Sequence, residues 1–173
     1  MGGGATSRLF RTVRTQKGLA YEVASVFTEP ADLGMIVALC QTRAPETPQA
    51  VQSILEINRD VLQAPFSEEE VRFAKEAIRN RFVENFTSSA QIVEELTSLE
   101  FRKYPKDYLD TYTNRISQVT LADLRRAAEK HLHPDQSVIL IVGDLSTFNK
   151  PLSTLGRPQE IRLPDYRLES MHP

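Results

Sequence analysis

GGGATSRLFRTVRTQKGLAYEV, residues 2–23, sets the architecture of this 173-residue chain. Three glycines open the stretch, where a backbone can approach a neighbour closely or take dihedrals closed to other residues. Ser7 stands where a hydroxyl can cap a short helix whose apolar side carries Leu9, Phe10 and Val13. Cationic side chains recur every three residues, at Arg8, Arg11, Arg14 and Lys17, with no acid before Glu22. Gly18 follows where a helix C-terminus favours a left-handed residue. Leu19 to Phe27 then reads as a strand, rich in Val, Tyr and Phe. Arg14 and Tyr21 thus bracket a helix-to-strand turn, a place where polar groups can be aimed at a bound ligand.

Downstream, Gly34 to Thr42 makes a second strand, and the short link Thr28-Glu-Pro-Ala-Asp implies an antiparallel hairpin. Thr47 caps a helix through about Gln63, with Val51, Ile54, Leu55, Val61 and Leu62 at helical spacing. Ala64-Pro-Phe breaks it. Ser67 with Glu70 forms a capping box, each side chain satisfying the other's end amide, and opens a helix running beyond Phe82. Ser88 and Ser89 interrupt it before an apolar-periodic segment, Ile92 to Phe101. Tyr104-Pro105 marks a turn, Asp107 to Val119 a further helix, and Thr120 with Asp123 starts the last, ending near His131. Ser137 to Val142 is almost continuously apolar and reads as a central strand. From about residue 152 the chain is a loop-like tail. Strands first, helices next and one returning strand make a single α+β domain over residues 1–173, with helices layered on one face of a mainly antiparallel sheet.

The order and spacing of Ser7-Arg-Leu-Phe10, Arg14, Gly18-Leu-Ala-Tyr21 and Val138-Ile-Leu-Ile-Val-Gly-Asp144 resemble the second, zinc-free half of the insulinase/pitrilysin-like zinc metallopeptidases. The resemblance runs from Gly2 to about Leu152. It implies a half-domain that lends Arg14 and Tyr21 to a catalytic cleft, with Gly2, Gly3 and Gly4 along the bound peptide. It also implies a zinc-bearing half-domain or subunit as partner, since in that family zinc sits on an inverted H-x-x-E-H helix of the other half. Such a half-domain ordinarily opens with a strand and a helix, and Met1 here runs straight into the glycines. The chain is therefore expected to lack that first strand and helix, leaving a sheet edge open to self-association. Exported bacterial members of the family imply a periplasmic or envelope setting.

The residues themselves narrow the chemistry. Net charge is −2 at neutral pH, which argues against general binding to nucleic acid or anionic membrane. No window has the apolar length of a membrane span. A lone cysteine, Cys40, reads as a buried inert thiol and allows no internal disulfide. A zinc hydrolase needs about three protein ligands and an open position. Of His131, His133 and His172, the first two sit at a helix end, where the macrodipole explains them. Neither H-x-x-E-H nor H-E-x-x-H occurs, and no Walker loop, dinucleotide fingerprint or nucleophile elbow is present. No cofactor is expected in this chain, and zinc belongs to the partner half.

Peptide hydrolysis builds charge on a carbonyl oxygen, and preorganised donors there lower the barrier. A phenol and a guanidinium are suitable donors. Two other readings stand beside this one: an assembly subunit of the same fold in which Arg14 and Tyr21 are architectural, and an anion-binding face built from Arg8, Arg11, Arg14 and Lys17. Three-residue spacing drifts around a helix, so the anion face competes with a solvated one.

Overall fold

Ser7 starts the first helix as its position implies, its hydroxyl accepting a hydrogen bond from the Phe10 N–H at 3.3 Å. The computed structural model describes residues 1–28, 34–64 and 66–161. After one α-turn the helix widens, and Phe10–Gln16 is a π-helix, with the Lys17 N–H reaching the Thr12 carbonyl at 3.0 Å. Gly18 ends it at φ +62°, and the Leu19 N–H closes back on Val13 O at 2.9 Å. Leu9 and Val13 are completely buried, while Phe10 is only half-buried.

Two strands follow, β1 (Ala20–Thr28) and β2 (Met35–Thr42), paired antiparallel. The expected link between them falls mostly on residues 29–33, outside the described residues. Helix α1 (Thr47–Gln63) lays Ala50, Ile54 and Ile57 against one face of this hairpin, where Val23, Ala38 and Cys40 meet Leu9, Val13 and Leu19. Burying Leu9 and Val13 alone contributes about 1.5–3 kcal/mol each. The opposite face of the hairpin leaves Leu39 57% exposed, so helices cover one face of the sheet. Thr47 proves to be the first residue of α1 and not its cap; Glu46 holds that position without a side-chain bond, because a short 3₁₀ turn feeds the chain in already helical.

Four more α-helices follow among the described residues: α2 (Glu68–Glu84), α3 (Ser89–Phe101), α4 (Tyr108–Gln118) and α5 (Leu121–His131). Both capping boxes form, Ser67 with Glu70 and Thr120 with Asp123. Helices α2 and α4 meet through rings: Phe82 stacks on Tyr112 at 4.5 Å and lies edge-on to Phe86 at 5.1 Å. Burial raises the phenol pKa values of Tyr108 and Tyr112. Helix α5 packs beside α1, and Arg59 of α1 reaches Asp135 at 3.1 Å. No described helix is long and apolar enough to cross a membrane.

The expected central strand is not formed. Among the described residues the sheet has two strands, and 137–142 pairs with neither. Val138, Leu140 and Val142 are 96%, 78% and 93% exposed. An apolar run forms a strand only if another strand's edge pairs with it, and here the run pairs with neither β1 nor β2. The α+β class stands, with this part of the sheet unfilled.

Candidate functional site

Two backbone irregularities hold the candidate side chains. The first is the π-helix, which carries Arg14 in its last turn. The second is a β-bulge: Ala20 pairs with Thr42 while Glu22 pairs with Gln41, so Tyr21 is the extra residue of β1. Its effect is visible in burial, since Ala20 and Val23 both point inward although three positions separate them. Tyr21 is thrown outward, 81% exposed. The Thr42 hydroxyl donates to Leu19 O at 2.6 Å and ties the start of the strand next to the bulge.

The bulge and the π-helix bring Arg14 and Tyr21 together. The Arg14 guanidinium carbon lies 5.6 Å from the centroid of the Tyr21 ring and 4.7 Å from that of Phe10. Each such contact is worth about 0.5–1 kcal/mol on an exposed surface. Phe10 was placed on the apolar side by sequence pattern. Its four-residue spacing from Arg14 was the signal for a ring contact, because such residues lie on one helix face.

The other three cations of the segment are engaged. Arg8 grips Glu70 through two bonds, Nε to Oε1 at 2.7 Å and Nη2 to Oε2 at 2.9 Å, with Arg11 at 3.6 Å from the same carboxylate. The Arg8 guanidinium holds the Glu70 carboxyl down at about 2, helped by the Ser67 N–H and by Arg11. Lys17 donates to Ser53 Oγ at 2.9 Å and stands 3.6 Å from Glu56. Ser53 is buried, and its hydroxyl donates a hydrogen bond to Gln49 O at 2.9 Å. These struts fix the π-helix against α1 and α2. Arg14 alone of the four has no ion pair among the described residues, which removes the four-cation anion face as a unit.

The glycines divide. A Cβ on Gly2 would lie 2.3 Å from Ser25 N, and Gly2 O accepts from that amide at 3.1 Å. The close approach required of Gly2 is therefore to the chain's own β1. Gly3 and Gly4 are exposed and meet nothing that a Cβ would touch. His131 ends α5 beside Lys130, and His133 follows it; His172 lies outside the described residues. No group of three His, Cys, Asp or Glu side chains suited to a metal is found among the described residues. The donor set here does not fit a three-ligand zinc centre.

Comparison with known proteins bears on this geometry. Residues 1–78, which contain the π-helix, Arg14, the bulge and Tyr21, match the family described as peptidase M16 inactive domain. Over residues 1–78 the chain belongs to the peptidase M16 family. An uncharacterised zinc protease of Streptomyces coelicolor is 30% identical over 145 residues, covering 80% of the M16 chain and 31% of that protein. An uncharacterised zinc protease of Bacillus subtilis is 26% identical over 141 residues, covering 82% and 34%. The crystal structure of a peptidase M16 inactive domain from Pseudomonas fluorescens superposes with a TM-score of 0.69 at 29% identity, over 78% of the M16 chain and 32% of that one. An inactive peptidase domain from Bordetella parapertussis, 18% identical, shares the fold at a TM-score of 0.63, over 77% and 72%. The M16 chain spans about a third of the length of the curated relatives it matches.

Proposed function

We propose that this domain is the zinc-free half of a metalloendopeptidase, contributing substrate binding and transition-state stabilisation to a zinc site on another half-domain or subunit. The observation that carries the reading is Arg14: neighbouring cations are tied to acids, while its guanidinium rests between Phe10 and an exposed Tyr21. Both side chains keep free donors, and both are held by backbone irregularities of the kind that gather at functional sites. In the proposed complex the Tyr21 hydroxyl donates to the carbonyl oxygen of the scissile peptide as charge builds there. Arg14 clamps a neighbouring peptide carbonyl, and Gly3 and Gly4 border the extended substrate, with Gly2 setting their position against β1. The activated water is supplied by zinc held in the partner half.

The test is to mix the chain, and its Tyr21→Phe variant, with a zinc-bearing half of the same family and follow cleavage of a flexible quenched peptide. Turnover confined to the mixture and falling about 10²–10³-fold in Tyr21→Phe supports the proposal. A second reading, an assembly subunit of the same fold, draws on the exposed apolar side chains of α3 and of residues 138–142. It requires complex formation with turnover indifferent to Tyr21.

A further inference from the structure

Phe10 is a large ring that the core does not use. Sequence pattern sets it beside Leu9 and Val13, and those two are completely buried. Phe10 is only half-buried and stands outside the cluster that Leu9 and Val13 build with Leu19, Val23 and Ile57. It stacks on no other ring among the described residues. Its ring lies instead against the Arg14 guanidinium, 4.7 Å from centroid to carbon, closer than the 5.6 Å that separates the same carbon from the Tyr21 ring. A phenyl group half in water gives up part of its burial energy, and what it gains there is the cation.

Arg14 is the residue with something to gain. An arginine side chain has large rotamer freedom, and one left to wander must be ordered before it meets a peptide in a single pose. Ion pairs do that ordering for Arg8 and Lys17, whereas Arg14 has no acid to hold it among the described residues. A carboxylate would in any case occupy the N–H groups that a ligand needs. A ring holds a guanidinium by its face and leaves the in-plane N–H groups free to donate. The spacing fits, since Phe10 opens the π-helix and Arg14 lies four residues on, so both project from one side. The platform is itself fixed, because Arg8 on Glu70 and Lys17 on Ser53 brace the π-helix at its two ends.

We infer that Phe10 is a positioning residue: its ring holds the Arg14 guanidinium beside Tyr21, with the N–H groups free for a peptide carbonyl of the substrate. The inference rests on the role proposed for Arg14 and adds the side chain that preorganises it. Phe10 then acts on substrate through Arg14 and through nothing else. Arg14 meets a peptide group that does not react, so its ordering bears on KM, while Tyr21 bears on kcat.

Two variants separate the ring's charge distribution from its shape. Phe10→Leu removes the ring. Pentafluorophenylalanine at position 10 keeps its outline and draws electron density off its face, so it carries the test alone if Phe10→Leu does not fold. The first readout uses the full chain by itself and follows the Arg14 Nε–H resonance, assigned through Arg14→Gln. Phe10→Leu should abolish its ring-current shift, both variants should lower its ps–ns order, and Tyr21→Phe should leave that order in place. The second readout is turnover of the quenched peptide in the mixture with a zinc-bearing half. Both variants should raise KM about two- to fivefold with kcat unchanged. In an Arg14→Gln background neither should change anything further. An Arg14 signal indifferent to both variants overturns the inference whatever turnover does. So does a KM that rises with Arg14→Gln but not with the Phe10 variants, which leaves the reading of Arg14 intact. A fall in kcat at constant KM, or a further loss in the Arg14→Gln background, makes Phe10 a folding residue and overturns it too. Turnover indifferent to Arg14→Gln sinks the reading of Arg14 itself, and the inference with it.

Discussion

Glu70→Gln probes how the N-terminal segment is anchored. Glu70 carries a bidentate pair with Arg8, a weaker contact with Arg11, and the reciprocal bond of the α2 capping box, Ser67 N–H to Oε2 at 2.8 Å. The side chains of Arg8 and Glu70 are only 18% and 22% exposed, so water replaces the lost partner poorly. Glutamine keeps one acceptor for the cap but none of the charge. Losing charge-assisted bonds of this kind costs about 1.5–3 kcal/mol. The pH dependence makes the test specific. The folded carboxyl titrates at about 2 against an ordinary 4.5, so its stabilisation is full above about 4.5 and is lost as pH falls towards 2. Urea unfolding followed by circular dichroism, run on both proteins from pH 7 down to about 2.5, should therefore show the gap narrowing below pH 4.5. A gap that stays constant over that range would refute the electrostatic account and leave only a packing defect.

Other expectations follow the same geometry. Gly18→Ala should cost about 1–2 kcal/mol in urea unfolding, because the position has open space around it but φ +62°; Gly18→Asn should cost less. Gly2→Ala should destabilise the fold and speed exchange of the Ser25 amide, since a Cβ there collides with backbone, whereas Gly3→Ala should be neutral. Tyr21→Phe should leave chemical stability within about 0.5 kcal/mol, the ring contact with Arg14 being retained, even as reconstituted turnover drops. A double-mutant cycle on Phe82 and Tyr112, each changed to Ala, should return a coupling of about 0.5–1.5 kcal/mol from the stacked pair.

Local chemistry was legible in the sequence, and long-range chemistry was not. Ser67 with Glu70 and Thr120 with Asp123 name their partners three residues away, and Gly18 announces its own dihedral. The Arg8 partner lies 62 positions along the chain, so no local pattern could choose Glu70 from among the acids. The π-helix and the bulge leave no composition signature, yet they are what bring Arg14 and Tyr21 into register. Residues 137–142 show the limit most clearly. Their composition is that of a central strand, but pairing depends on a neighbour, and an apolar run cannot report whether that neighbour is present.

Arg14 and Tyr21 lie on either side of a single turn, and the ring beneath them, Phe10, is one helical turn earlier. Closing so short a loop costs little entropy, and contacts at small sequence separation form before distant ones during folding. The pair is therefore encoded in a dozen residues or so, but its geometry is completed from afar: Gln41 and Thr42 of β2 define the bulge, and Glu70 and Ser53 brace the π-helix. Grafted onto another hairpin, the stretch would keep its two side chains in register only with those partners carried along.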